Sequence, residues 1–337
     1  MYDLSILIPA RNEEFLKHTV EDILEKKKGK TQIIVGLDGY KDNVPQHKDV
    51  MVLEAPEAIG QRAMQNRLAR LSDAKYVMKV DAHCMFDDAF DVKMLDGFAK
   101  EGDDVTFVPV MRNLWVFDWK CMKCGSRWYM GPKPTRCMTQ EGDNIVPHEE
   151  CDGQEFTKRM VWKVNPRRPN NTAYVFDANL QFWYFNELKR VQQGDYPETL
   201  SLQGSCFMAT RQNYFDKELC DESWGSWGQQ GTEVALKTWL SGGRVLCNRH
   251  TWYAHMFRTQ PGFSFPYPQS GRGQEEARKI SQELFFNNKW PKQTLPLSWL
   301  LEKFREPLLK FNRGDGKHWT PERLEELSHV PLNPVLQ

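Results

Sequence analysis

The sequence predicts an α/β fold: a mixed, mostly parallel sheet flanked by helices and interrupted by a small cysteine-bearing insertion. Three observations carry that prediction. Through the N-terminal third, apolar runs of strand length alternate with amphipathic stretches of helical period. Acidic and imidazole side chains stand directly after the apolar runs. Four of the eight cysteines fall between residues 121 and 151, where the alternation stops.

Leu4 to Pro9 is a short apolar run of the kind that forms a buried parallel strand. From Glu13 to Lys28, Leu16, Val20, Ile23 and Leu24 recur at helical spacing, and Gly29 offers a C-cap. Strands are predicted at Ile33–Leu37, Val50–Leu53, Tyr76–Val80 and Val105–Val110, with helices at Ala58–Leu71 and Asp88–Lys100. This βαβ rhythm implies helices packed on a parallel sheet. Ligands of such sheets sit beyond the carboxyl ends of the strands. Beyond residue 172 the rhythm returns, with a strand at Leu202–Thr210, a helix at Thr232–Leu240 and one or two strands over Val245–Phe257. Amphipathic stretches separated by prolines follow Gly273. Among them Thr320-Pro321-Glu322 reads as N-cap, first-turn proline and first-turn acid. The chain thus divides into an α/β unit of residues 1–112 and 173–290, an insertion at 113–172 and a helical extension at 291–337.

The 337 residues suit about two domains of ~150 residues, or one large α/β domain with an insertion. Apolar residues make up 40% and charged residues 27%, which excludes a long disordered chain. Lysine plus arginine equals aspartate plus glutamate at 45 each, which argues against a histone-like polyanion binder. No apolar stretch reaches the ~18 residues of a membrane span. The opening MYDLSILIPARNEE lacks the cationic start and cleavage site of a secretory signal. With scattered thiols, these features predict a reducing, cytoplasmic setting without membrane partners.

The clustered cysteines have the spacing Cys121-x2-Cys124-x12-Cys137-x13-Cys151. Cys121-Met-Lys-Cys124-Gly125 is a zinc knuckle, with glycine where the chain turns tightly around a metal. The second half lacks a close pair, so Cys151 or His148 could be the fourth ligand. A closed zinc site of this kind stabilises a subdomain too small for its own core.

A second metal candidate is Asp81-Ala82-His83, which follows the strand Tyr76–Val80. On an extended backbone, residues i and i+2 face the same side. A carboxylate and an imidazole aimed at one point suit a divalent cation of the Mn²⁺ or Mg²⁺ type. LSILIPARNE resembles the opening strand of GT-A glycosyltransferases. Gly60 and Asn66 resemble that family's glycine and asparagine before the metal strand. YVMKVDAHC resembles the metal motif of the polypeptide N-acetylgalactosaminyltransferases, which carry Asp-x-His where most relatives carry Asp-x-Asp. WGQQGTEVALKTWLSGG resembles their WGGEN segment, and Tyr253-Ala254-His255-Met256-Phe257-Arg258 resembles their G-H-V-F-R motif. The similarity runs on through PGFSFPYPQSG.

The resemblance implies a GT-A fold, a UDP-sugar donor and a cation held by Asp81, His83 and His255. It implies donor contacts from Pro9, Ala10, Arg11, Asp38, Arg62, Trp227 and Arg258, with Trp227 stacking on a lid after Arg258. Glu233 aligns with an acid that is a general base in inverting relatives and structural or sugar-binding in retaining ones. Two departures stand out. Gln230 replaces the glutamate of WGGEN, and the loop Thr259-Gln260-Pro261-Gly262-Phe263 lacks the family's basic histidine. The insertion would face the acceptor. Its cations, among them Lys120, Lys123, Arg127, Lys133, Arg136, Lys158, Arg159, Lys163, Arg167 and Arg168, could contact a phosphate backbone. Trp115, Trp119, Trp128 and Tyr129 could stack on bases. The acceptor expected on this basis is a 5-hydroxymethylated pyrimidine in DNA, as for virus-encoded DNA-modifying transferases. The alternatives are a polypeptide, glycan or small-molecule acceptor, or a non-catalytic zinc-ribbon DNA-binding protein.

Overall fold

The apolar runs form strands in the predicted order. The computed structural model describes residues 1–142, 144–267 and 271–332. Its strands are β1 (Leu4–Ala10), β2 (Thr31–Asp38), β3 (Val50–Ala55), β4 (Tyr76–Val80), β5 (Cys84–Phe86), β6 (Val105–Cys121) and β7 (Arg127–Tyr129). They continue with β8 (Met138–Glu141), β9 (Asn144–Pro147), β10 (Phe156–Val164), β11 (Tyr174–Phe176), β12 (Phe182–Tyr184), β13 (Cys206–Thr210) and β14 (Arg244–His255). The main sheet has the order β3-β2-β1-β4-β13-β6-β14-β5. β3, β2, β1 and β4 run parallel, as do β6 and β14. β13 is antiparallel to β4 and β6, and β5 is antiparallel to β14.

β1 and β2 are buried along almost their whole length, because helices cover both faces of a parallel sheet. The helix predicted from Glu13 starts only at Leu16. Before it, Asn12 takes a left-handed backbone with φ 53°, and the turn carries Glu13 inward, where it is buried. The strand expected from Leu202 begins at Cys206, which leaves Leu202–Ser205 as a loop at the sheet edge. Thr320 caps the helix Pro321–Ser328 through its side chain, with proline in the first turn as anticipated.

The largest departure from expectation concerns the insertion. The strand predicted to stop at Val110 continues to Cys121 as one 17-residue ladder. Its second half pairs antiparallel with β7 and β10. The predicted boundary at residue 113 therefore falls inside a strand. A second apolar core forms there from Leu114, Val116, Phe117, Trp119 and Trp128, and Phe15, Ala254 and Met256 of the α/β unit complete it. Leu297, Leu300, Leu301 and Trp319 of the C-terminal extension belong to the main core. Among the described residues, no helix is long and apolar enough to cross a membrane.

A buried charge network joins the helices Gln61–Leu71 and Gln230–Leu240. Glu233 is fully buried, and its Oε2 accepts from the Arg62 guanidinium. Its Oε1 accepts from Lys237 Nζ at 2.8 Å and from the Asp221 backbone N–H at 2.9 Å. Arg62 also donates to the Gly228 carbonyl at 2.5 Å, which ties down the loop before the second helix. Breaking a buried ion pair from one side leaves an uncompensated charge in low dielectric. Glu233→Ala would strand two buried cations, so urea unfolding should show a loss of about 3–5 kcal/mol. An unchanged midpoint would show that the network carries no structural weight.

Candidate functional site

β4 ends at Val80, and the Asp81 backbone N–H donates to the Ser205 carbonyl at 2.9 Å. Asp81 and His83 thus leave the carboxyl edge of the sheet on one side. His255 closes β14, paired with Cys84 on β5 and with Asn113 on β6. That register sets His255 Nε2 3.1 Å from His83 Nε2 and 3.2 Å from Asp81 Oδ2. The ligand atoms of Asp81, His83 and His255 all lie within 4.8 Å of one another. The donor set, one carboxylate and two imidazoles, fits a Mn²⁺-type cation.

The electrostatics agree with that fit. Burial opposes an ionised Asp81, but the Lys79 ammonium and His255 more than offset it, and its pKa lies below the ordinary carboxylate value. Burial lowers His255 to about 4, aided by His83 and Lys79 and opposed by Asp81. At neutral pH the site therefore presents an anionic oxygen and a neutral imidazole, the forms that bind metal.

Two residues that sequence reasoning did not single out support these ligands. Lys79 lies two positions before Asp81 on the same strand face. It ion-pairs with Asp81 and donates to the Gly204 carbonyl at 2.7 Å. Glu13 stands behind His83, with Oε2 3.4 Å from His83 Nδ1 and 3.3 Å from Arg258 Nη2. The Glu13 carboxylate thus lies within ion-pair distance of the far ring nitrogen, although His83 Nδ1 has no hydrogen-bond partner among the described residues. Glu13 sits in the LSILIPARNE motif, which was the available signal. Nothing in the sequence gave its inward turn.

A cleft of about 110 Å³ opens beside the three ligands, lined by Pro9, Ala10, Arg11, Glu13, Asp38, Gly60, Gln61, Asp81, His83 and Trp227. A larger cavity of about 430 Å³ shares Gln61, Asp81, His83 and Trp227 and adds His255, Phe257, Gln274 and Arg278. Of the predicted donor contacts, Pro9, Ala10, Arg11, Asp38 and Trp227 line the cleft. The Asp38 carboxylate accepts from the Ile59 and Gly60 backbone N–H groups at 2.6 and 3.0 Å, so it also shapes the loop opposite. Gly60 has φ 93°, and a Cβ there would lie 2.7 Å from Ser226 Cβ, so the loop carrying Trp227 needs glycine at this contact. Trp227 is partly exposed and lies 6.5 Å from Phe265 in the following loop. Pro268, Gln269 and Ser270 of the PGFSFPYPQSG similarity lie outside the described residues.

Three predicted site residues are placed elsewhere. Arg62 and Glu233 are buried against each other and line neither cavity. A carboxylate bonded on both oxygens and shut off from solvent has no open path to an acceptor hydroxyl, which favours the structural alternative for Glu233 over the general base. Arg62 likewise meets a carboxylate and a carbonyl instead of a donor. Arg258 lines neither cavity; it packs over Phe263 and pairs with Glu13.

The cysteine cluster closes on itself. The sulfurs of Cys121, Cys124, Cys137 and Cys151 all lie within 4.8 Å of one another. Cys151 therefore completes the set, while His148 Nδ1 lies 3.5 Å from Cys124 Sγ and 3.6 Å from Cys137 Sγ. The Ser126 and Gly153 backbone N–H groups donate to Cys124 and Cys151 sulfur at 3.4 Å, stabilising thiolates. Burial raises the Cys121 thiol, but backbone N–H donors bring it down to about 7. A Cβ on Gly153 would lie 2.6 Å from Cys121 Sγ, so only glycine fits there.

Glu13→Gln keeps the shape of the site and removes its negative charge. Mn²⁺ affinity, read by a spin-resonance titration in the presence of UDP, should fall about tenfold or more. Equal affinity would remove Glu13 from the metal site.

Residues 5–136 match the model of glycosyl transferase family 2. The putative polypeptide N-acetylgalactosaminyltransferase 13 of Drosophila melanogaster is 29% identical over 129 residues, 38% of this chain and 22% of that protein. Polypeptide N-acetylgalactosaminyltransferase 3 of the same organism is 25% identical over 100 residues, 27% of this chain and 15% of that protein. The matched segments thus span about a fifth of those relatives' lengths. The crystal structure of GalNAc-T7 with UDP, GalNAc and Mn²⁺ superposes with a TM-score of 0.62 at 15% identity, over 91% of this chain and 58% of the other. S. aureus TarS 1-349 in complex with UDP-GlcNAc superposes with a TM-score of 0.50 at 12% identity, over 94% and 75%. With residues 5–136 matching glycosyl transferase family 2, the chain has the GT-A fold and resembles the catalytic domain of the polypeptide N-acetylgalactosaminyltransferases.

Proposed function

We propose that the chain is a metal-dependent glycosyltransferase that moves a sugar from a UDP-sugar to a hydroxyl acceptor. The observation that carries this is the convergence of Asp81, His83 and His255 beside the cleft lined by Pro9, Arg11 and Asp38. In the reaction the bond from the anomeric carbon to the diphosphate breaks, a bond to the acceptor oxygen forms, and UDP and the acceptor's proton leave. A cation there supplies Lewis-acid stabilisation to the departing diphosphate. Asp81, His83 and His255 would hold it, Lys79 keeps Asp81 ionised and Glu13 places a negative charge beside the far nitrogen of His83. The presence of UDP with Mn²⁺ in GalNAc-T7, and of UDP-GlcNAc in TarS, supports the choice of donor.

A structural zinc at Cys121, Cys124, Cys137 and Cys151 belongs to the same reading. It anchors the outer end of β6, next to the second core. Zinc analysis should find one metal per chain, and a strong chelator should lower the melting temperature of the parent protein. Cys124→Ser should abolish the zinc and leave the chelator without effect. A metal-free parent of unchanged stability would contradict the assignment.

For the acceptor, a 5-hydroxymethylated pyrimidine in DNA is supported by exposed Arg127, Lys133 and Arg136, which have no ion pair among the described residues. Lys123, Lys158 and Arg159 are instead paired with Asp152, Glu14 and Asp118. Trp119 and Trp128 are buried in the second core, which leaves Trp115 and Tyr129 of the four predicted stacking residues. A polypeptide acceptor is the second reading, favoured by the likeness to the two Drosophila proteins.

Incubation with Mn²⁺, a panel of UDP-sugars and hydroxymethylpyrimidine DNA, followed by nucleoside mass analysis, tests the function. A sugar adduct lost in Asp81→Ala is expected. Metal-dependent UDP release without an adduct would move the acceptor to polypeptide or glycan. No UDP release with any acceptor would overturn the transferase reading.

A further inference from the structure

The largest cavity described lies away from the nucleotide cleft. It measures about 780 Å³ and opens between the cysteine-bearing insertion and the loop Thr259–Pro261. Its walls are rich in carboxamides, including Asn113, Asn144, Asn186 and Gln260, and no carboxylate lines it among the described residues. Among the described residues, the side chains of Asn113, Asn144 and Asn186 have no hydrogen-bond partner. Gln260 Oε1 is buried and unpartnered. One wall is a parallel aromatic stack, Trp115 on Tyr129, with ring centroids 3.8 Å apart and planes within 3°. Cations flank it: Lys163 Nζ lies 4.7 Å from the Tyr129 ring centre and the Arg167 guanidinium 5.3 Å from that of Trp115.

The cavity borders the one at the metal site at one residue. Phe257 lines both this cavity and the one containing Asp81 and His255. Its ring packs against His255 at 4.5 Å.

We propose that this cavity is an acceptor subsite for an unpaired pyrimidine nucleotide. The proposal rests on the transferase reading above and names the acceptor unit. Carboxamides carry a donor and an acceptor side by side and so match the edge of a base. A buried, unpartnered amide oxygen such as Gln260 Oε1 is stabilised only when a ligand N–H reaches it. Cations beside the stack suit the phosphates on either side of an unstacked base, and no carboxylate among the described lining residues repels them. A neutral oligosaccharide or an uncharged peptide would use the amides but draw nothing from Lys163 and Arg167.

The test uses the full chain with Mn²⁺ and UDP bound. A fluorescent single-stranded oligonucleotide with one hydroxymethylpyrimidine is titrated against the parent, Asn113→Leu and Asn186→Leu. All preparations are compared at equal Mn²⁺-dependent UDP occupancy, which also reports folding. The expected result is a loss of affinity of about fivefold or more in each variant, given that a base contact contributes ~1–3 kcal/mol. Retention of parental affinity in both variants would overturn the subsite while leaving the transferase reading in place. Displacement of the oligonucleotide by a peptide or a neutral oligosaccharide would likewise overturn it. A parent protein that binds no UDP with Mn²⁺ would instead overturn the transferase reading on which the proposal stands.

Discussion

The end of β14 is hydrogen-bonded on both sides, and that register decides what the molecule can do. His255 faces Cys84 on β5 and Asn113 on β6. The first pairing sets its imidazole beside His83, and through it beside Asp81. The second fixes the metal edge against the start of the insertion. A slip of one residue would turn His255 to the opposite face of the sheet and dissolve the three-ligand set. Because β6 is one unbroken strand from Val105 to Cys121, the same register also sets the distance between the metal edge and the cysteine cluster. The insertion is thus an outgrowth of the same sheet, with the cysteine cluster at its outer end. It does not hang from a linker.

Buried charge in this chain is used in two different ways. Around Glu233, Arg62 and Lys237 surround one fully buried carboxylate that itself lines no cavity, and the outcome is a fixed angle between two helices. Around Asp81 and His83, the charges stand at the rim of a cleft. Lys79 pairs with one oxygen of Asp81, Glu13 stands 3.4 Å from the far nitrogen of His83, and the remaining ligand atoms face His255 beside the cleft. Burial and pairing are strong in both places. Only access to a cavity separates a structural network from a site.

Much of this was legible in sequence. The strand order of the N-terminal half, the Asp81-x-His83 pair, the distant His255 and the cysteine knuckle follow from apolar period, spacing and motif resemblance. What stayed hidden depended on pairings between residues far apart in the chain. Glu233 looked like a base because its motif aligns with one, but its burial is set by Arg62 on another helix, 171 positions away. Trp119 and Trp128 looked like stacking residues in a polar insertion, yet they are paired across β6 and β7 and buried in the core that also holds Phe15 and Met256. Glu13 and Lys79 read as ordinary charges, since nothing local marks a side chain that supports a ligand from behind. The chain also breaks its own βαβ pattern at residue 113 in composition only; the backbone ladder runs straight through.

The central claim is that two imidazoles and one carboxylate share a divalent cation at the sheet edge. Its most direct test is pulsed spin resonance of Mn²⁺ bound to protein labelled with ¹⁵N-histidine, in the presence of UDP. The account predicts coupling to histidine nitrogens that weakens in His255→Ala and again in the His83→Ala, His255→Ala double variant. Mn²⁺ bound without any histidine coupling, or coupling unchanged in both variants, would contradict it.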